Sequence, residues 1–151
     1  MINMQHETII QCSPQKLFSY ITQPWRWHEW HPSSVGAKAD KPVLAKGDTF
    51  REEIRVQPLS PLPLTLVRKT NYEVLLSEEG KAWEVRGKMN DGWLKIRYDL
   101  FPSGNGTLFR RTLTFEIEGF KKIFLPLLLK PRMEKLSLVA MQNLKEKMEK
   151  E

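Results

Sequence analysis

The chain changes its hydrophobic periodicity once, near Gly119, and that single switch limits the folds open to it. From residue 35 to 119, runs of strand length alternate with turn chemistry. Lys46-Gly47-Asp48, Glu79-Gly80, Asn90-Asp91-Gly92 and Ser103-Gly104-Asn105-Gly106 each supply glycine or asparagine where a positive φ is wanted. The runs between them cover about 34 to 39, 49 to 57, 64 to 77, 81 to 89, 93 to 101 and 107 to 118. Connections this short join antiparallel neighbours into a meander. The piece Gln57-Pro58-Leu59-Ser60-Pro61-Leu62-Pro63 cannot continue a ladder, and predicts a loop at one end of the sheet with freedom to move. After Gly119 a helical period takes over. Met133, Leu136, Ala140, Leu144 and Met148 write one apolar stripe along a helix running to the C-terminus, with Pro126 and Pro131 bounding or kinking its start.

The first third of the chain is read the same way. Residues 3 to 11 carry β-branched character and no helical period, which predicts a strand. Ser13 followed by Pro14 is a helix start, because a serine can cap an orphan amide and proline at the first helical position loses no needed donor. Leu17, Phe18 and Ile21 share the docking face of a short helix that Gln23-Pro24 ends. The order is strand, small helices, six strands, long helix. A hairpin sheet and an amphipathic helix each have one face to bury, and laying the helix on the sheet's concave face buries both. The expectation is an α+β chain forming one domain over residues 1–151.

Composition excludes several classes. At 151 residues, with 40% apolar and 28% charged residues, the chain can build a core without staples. The lone Cys12 forms no internal disulfide, and the N-terminus has neither a basic region nor an apolar one behind it, which predicts a cytoplasmic protein. The apolar run from Ile123 to Leu129 is far short of the ~20 residues a membrane span needs. A net charge of +6 raises nucleic acid, the ribosome or an anionic membrane surface as partners. Much of that charge is compensated locally, as in Arg51-Glu52-Glu53-Ile54-Arg55, which leaves Arg110-Arg111, Lys121-Lys122 and Lys130-Pro131-Arg132 as patches. No nucleic-acid motif accompanies them, so specific nucleic-acid binding is not expected, while transient contact with a membrane surface stays open.

The element order and the local text together resemble the START-like or SRPBCC superfamily, in its polyketide cyclase/dehydratase and lipid-transport group. The residues that carry the resemblance are Ile9 to Ile21, the corner Trp30 to Pro32, Gly47-Asp48-Thr49-Phe50-Arg51-Glu52, and Leu144-Lys145 ahead of Glu149 in the terminal helix. The resemblance implies a helix-grip fold: a curved seven-stranded antiparallel sheet around a long C-terminal helix, with two short helices after the first strand. It also implies a deep apolar cavity for a lipid, sterol, isoprenoid or polyketide, held for transport or sensing, in a monomer or weak homodimer. Cyclases of this kind act largely by folding a reactive chain in a shaped pocket, so turnover is the alternative activity.

Strand alternation nominates the residues that line such a cavity. The helix-facing parity carries Phe50, Glu52, Ile54 and Val56 on one strand, Trp83, Val85 and Met89 on another, and Leu94, Ile96, Tyr98 and Leu100 on a third. On the last strand it carries Phe109, Arg111, Leu113, Phe115 and Ile117. From the helix it takes Met133, Leu136 and Ala140, and from the small helices Trp27 and Trp30. Glu52 and Arg111 are charges on apolar faces, and an unpaired buried charge costs several kcal/mol. Two readings stand open: the two charges pair or lie near a cavity mouth, or they meet the polar head of a ligand. A cavity of ~300 Å³ left empty would cost about 7 kcal/mol at ~24 cal/mol per Å³. It is therefore expected to hold water around Glu52, Arg111 and Tyr98, or an amphiphile.

The stretch Trp25-Arg26-Trp27-His28-Glu29-Trp30-His31 invites a metal reading, but His-Glu-x-His is one residue short of the zinc-protease spacing. His6 is the only other histidine, so no metal and no cofactor are expected. Trp27 and Trp30 share a face, and fit a small core sealing the sheet's end as well as a lid over the cavity mouth. No Gly-x-Ser-x-Gly and no glycine-rich phosphate loop is present, and Cys12 has no evident base.

Overall fold

The computed structural model describes residues 1–57 and 65–150. Its strands are β1 (Ile2–Ile10), β2 (Ser34–Ala39), β3 (Thr49–Val56), β4 (Leu66–Glu78), β5 (Ala82–Met89), β6 (Gly92–Ser103) and β7 (Gly106–Ile117). Helix α1 (Pro14–Ile21) and a 3-10 helix (Pro24–Glu29) separate β1 from β2, and α2 (Leu125–Lys150) closes the chain after a second 3-10 helix (Gly119–Ile123). The strands form one seven-stranded sheet in the order β1-β7-β6-β5-β4-β3-β2. Every pairing is antiparallel. The proline-rich run expected to be a loop falls at 58–63, outside the described residues.

Local chemistry accounts for the element ends. Ser13 accepts the Lys16 amide at 3.2 Å and Pro14 occupies the first turn, so α1 starts where a serine-proline pair demands. Among the described residues, only glycines take positive φ, at Gly47, Gly80 and Gly104 among others. Two bulges, at Val35 in β2 and at Leu75 in β4, reset the alternation. Each one bends its strand and deepens the curl of the sheet.

Helix α2 begins at Leu125, a full turn or more before the stripe read from Met133. Pro126 sits in the first turn, where a missing amide costs nothing, and Leu125 and Leu129 extend the stripe backward at i, i+4. Pro131 lies inside the helix and removes one i to i−4 hydrogen bond there. Ala140, Leu144 and Met148 are buried on the sheet, while Met133 and Leu136 are half-buried against the same core. The C-terminal end is tied down: Lys145 donates to the Ile9 carbonyl at 2.7 Å, and Glu149 accepts the Gln11 amide at 2.9 Å.

Candidate functional site

Strand parity brings Phe50, Tyr72, Trp83 and Tyr98 to the inner face of four adjacent strands, where their rings overlap in one continuous stack. Phe50 stacks on Tyr72 at 4.7 Å and on Trp83 at 6.2 Å, and Trp83 stacks on Tyr98 at 5.4 Å. Trp27 descends on this stack edge-on, 5.6 to 6.5 Å from all four rings, and its Nε1 donates to the Ile21 carbonyl at 2.8 Å. Trp27 and Trp30 are therefore interior rings, both buried, while Trp25 is half-buried at the margin. The rings fill most of the space under the helix.

What remains is a void of about 50 Å³. It is far smaller than ~300 Å³, the low end of ligand pockets, and so falls short of the deep cavity that the resemblance implies. An empty void of this size costs on the order of 1 kcal/mol, which a domain tolerates, and it is roomy enough for a few waters. Of the nominated residues, Trp27, Trp30, Glu52, Ile54, Tyr98, Arg111, Leu113, Met133 and Leu136 border it, as do Val56, Leu94 and Ile96 from the same strand parity. Phe50, Trp83, Val85, Phe115 and Ala140 are packed in the surrounding core instead. His31, Ser33, Tyr72 and Ser137 border the void although strand and helix periodicity do not single them out.

Two charged side chains, Glu52 and Arg111, border the void. Glu52 is 7% exposed and Arg111 is 6% exposed. Glu52 accepts from the Ser34 hydroxyl at 2.9 Å and from the Tyr72 hydroxyl at 3.3 Å. Burial pushes its carboxyl up to about 7, against the pull of Ser34, Tyr72 and the Arg111 charge. Arg111 donates through Nη1 to Ser137 on α2 at 3.1 Å, and its Nε is buried without a partner. No ion pair engages Arg111 among the described residues, so Glu52 and Arg111 face one void without touching. The Trp30 Nε1 on the same wall is likewise buried without a partner.

The field of this cation reaches its neighbours. Burial, and then Arg111, lowers His31 to about 3. Its Nδ1 accepts the Ser33 amide at 3.2 Å, which fixes the neutral ring with its proton on Nε2. His6 on β1, in register with Arg111, is also held below the usual histidine value by burial and then by Arg111. Burial raises the Tyr72 and Tyr98 hydroxyls, so both remain protonated donors. The arrangement presents several N–H and O–H donors, one cation and one carboxyl at its midpoint to a space lined elsewhere by Ile54, Leu113, Met133 and Leu136. His28, which the metal reading coupled to His31, is exposed.

Two local devices set this geometry. The bulge at Val35 turns Ser34 inward, opposite Ile54 and within reach of Glu52. Gly87, paired with Tyr72, leaves room for the ring: a Cβ there would lie 2.7 Å from Tyr72 and 2.4 Å from Thr70. Gly87→Ala is expected to cost about 1–3 kcal/mol by overpacking and to shift the Tyr72 hydroxyl off Glu52. Thermal melts and the Tyr72 hydroxyl resonance check the two effects, and an unchanged melt would show that the sheet yields.

A larger concavity of about 1430 Å³ lies on the outer face of β2 to β6. It is open to solvent, and charges of both signs, among them Lys38, Arg51, Glu53, Lys69, Glu73 and Lys88, stand among apolar lining residues such as Val35, Met89 and Trp93.

A curled antiparallel sheet gripping a C-terminal helix, with a small void inside an aromatic interior, is the helix-grip fold. The family described as polyketide cyclase/dehydrase and lipid transport matches residues 1–149, and the chain belongs to it. A START superfamily protein from Mycobacterium smegmatis superposes with a TM-score of 0.71 at 14% identity, covering 98% of this chain and 97% of that one. A protein from Thermus thermophilus gives 0.72 at 13% identity, with 97% of each chain covered. The Aha1 dimer from Colwellia psychrerythraea gives 0.65 at 18% identity, covering 99% of this chain and 97% of that one. At these identities the likeness is one of fold. No curated protein matches the chain. Among the described residues, no helix is long and apolar enough to cross a membrane.

Proposed function

We propose that this protein binds a hydrophobic small molecule by its one polar end, which sits between Glu52 and Arg111 in place of water. The observation that carries the reading is that two of the four unpartnered buried N–H groups among the described residues, Arg111 Nε and Trp30 Nε1, belong to residues lining the void, which Arg111 borders without an ion pair. Native interiors satisfy their buried donors, and an exception of this kind marks a place for a ligand or ordered water. The acceptor that answers these donors is a carbonyl, carboxylate or enolate oxygen. The apolar remainder lies against Ile54, Met133 and Leu136, the half-buried part of the core. The void as it stands takes the polar end alone, so a longer ligand enters by displacing the first half of α2. That half contains Pro131, whereas the C-terminal half is bonded to β1.

Transport or sensing is the preferred role, in a monomer or weak dimer built from the single domain. A second reading, cyclase- or dehydratase-type turnover, is favoured by one observation: a carboxyl near pH 7 beside a cation and two phenols is suited to general acid/base work. Native mass spectrometry with solvent extraction of the purified protein separates the two. An apolar molecule recovered unchanged supports binding, and one recovered chemically altered supports turnover. Arg111→Met is expected to weaken retention by about 1.5–3 kcal/mol, the range for a hydrogen bond to a charged group. It should leave the melting temperature equal or higher, because it removes an unpaired buried charge. Equal retention by Arg111→Met and the parent would refute this assignment.

A further inference from the structure

The interior site leaves the outer face of α2 without a role. Ile123 and Leu127 are 75% exposed and Leu138 is 58% exposed, with Phe124, Leu128 and Val139 exposed beside them. At about 100° per residue, Leu127, Leu128, Leu138 and Val139 fall in one sector of the helix roughly 120° wide, and Phe124 lies in the turn immediately before it. The opposite sector, with Leu129, Met133, Ala140 and Leu144, meets the sheet. A helix packed by one face normally carries charge on the other. Here the first half of α2 is apolar on both.

The flanks of this face are cationic. Lys122, Lys130 and Lys135 are exposed and Arg132 is half-buried, and Glu134 is the only acidic residue between Gly119 and Val139. Lys130 and Arg132 project to either side of the apolar sector and Lys135 stands within it. We infer that this face docks on a membrane surface rich in anionic lipid. The leucines and Phe124 enter the boundary between headgroups and acyl chains, and the lysines meet lipid phosphates. A second copy of the chain fits the face less well. A two-fold contact through it would press Lys130 and Lys135 toward their own copies in an apolar setting, with four cations against one carboxylate on each side. The helix does not span the bilayer, since no described helix is long and apolar enough, so the contact is one of surface. The inference does not depend on what the interior binds.

The test is co-sedimentation of the full chain with vesicles of phosphatidylcholine alone, or with about 30 mol % phosphatidylglycerol. The parent is expected to bind the anionic vesicles at least tenfold more tightly than the neutral ones. Leu127→Asp should abolish retention without lowering the melting temperature, because the side chain is in solvent. Joint Lys130→Glu and Lys135→Glu replacement should weaken retention tenfold or more, at about fivefold per lost cation, and flatten its salt dependence. Ile123→Asp serves as an independent second variant should Leu127→Asp fold poorly. Equal or absent retention on both vesicle types overturns the inference, as does retention that Leu127→Asp and Ile123→Asp leave intact. A parent dimer that Leu127→Asp turns into monomer, without vesicle retention, assigns the face to a second copy instead. Salt-sensitive retention on RNA that survives Leu127→Asp assigns the lysines to nucleic acid. None of these results touches ligand recovery from the interior, so the two proposals fail separately.

Discussion

Trp27→Ala lowers the unfolding free energy by about 3–5 kcal/mol, the range for deleting a large buried aromatic. Trp27 is placed to sit at the high end. Its ring meets Phe50, Tyr72, Trp83 and Tyr98 edge-on, and edge-to-face pairs contribute about 0.5–1.5 kcal/mol each beyond area burial. Its Nε1 also holds the Ile21 carbonyl, so truncation leaves that acceptor at the end of α1 unanswered. Urea denaturation monitored at two wavelengths measures the loss. Trp27→Phe should retain most of the ring contacts and cost about 1–2 kcal/mol, largely the indole hydrogen bond. The space freed by alanine adjoins the existing void, so the variant should also take up small apolar probes that the parent excludes. A loss below about 1 kcal/mol would mean that the four-ring stack stands without its fifth member, and that Trp27 is a lid after all.

The inner parity of β3, β5, β6 and β7 is legible because each strand alternates cleanly, and a period of two leaves no choice once one face is apolar. That alternation puts Glu52 and Arg111 indoors, where the structure has them. It fails on β4, where Val74, Leu75 and Leu76 run together across a bulge and no face can be chosen, so the sequence gives no sign of Tyr72. The other bulge hides Ser34. Ser137 escapes because an apolar stripe is read by skipping polar letters, yet the Leu136-to-Ala140 step carries it onto the sheet beside Arg111. The start of α2 is left open between Pro126 and Pro131 because either proline can bound a helix, and the structure resolves it to Leu125, with Pro126 harmless in the first turn.

The size of the void is not legible at all. Whether Trp27, Trp30, Phe50, Tyr72, Trp83 and Tyr98 leave 50 Å³ or far more depends on how rings from separate segments interlock, and no local pattern encodes that. The consequence runs through to function. A capacious cavity would require a resident ligand for stability, whereas a 50 Å³ void allows the protein to fold empty; under the binding proposal above, a longer ligand then enters only by displacing part of α2.

Glu52 makes stability depend on pH in a direction opposite to most carboxylates. A carboxyl near 4.5 in the unfolded chain and at about 7 in the fold holds its proton more tightly when folded. Its contribution is therefore complete below about pH 4.5, declines as pH rises, and is gone above about pH 7. The span corresponds to about 3 kcal/mol at 1.36 kcal/mol per pKa unit. His31 works the other way. Held at about 3 in the fold against 6.5 unfolded, it favours folding above about pH 6.5 and withdraws that support as pH falls. The two slopes oppose each other in the acid range, so the profile of the parent alone will look flat there. Glu52→Gln isolates the carboxyl. The stability of the parent relative to Glu52→Gln should fall by about 3 kcal/mol between about pH 4.5 and 8 in chemical denaturation, and a difference independent of pH would show that Glu52 is solvated in the fold. Arg111 draws the Glu52 value down, so in an Arg111→Met background the same decline should extend to higher pH. That shift is a readout a purely structural arginine elsewhere in the core would not produce, because it requires the two charges to face each other across one void.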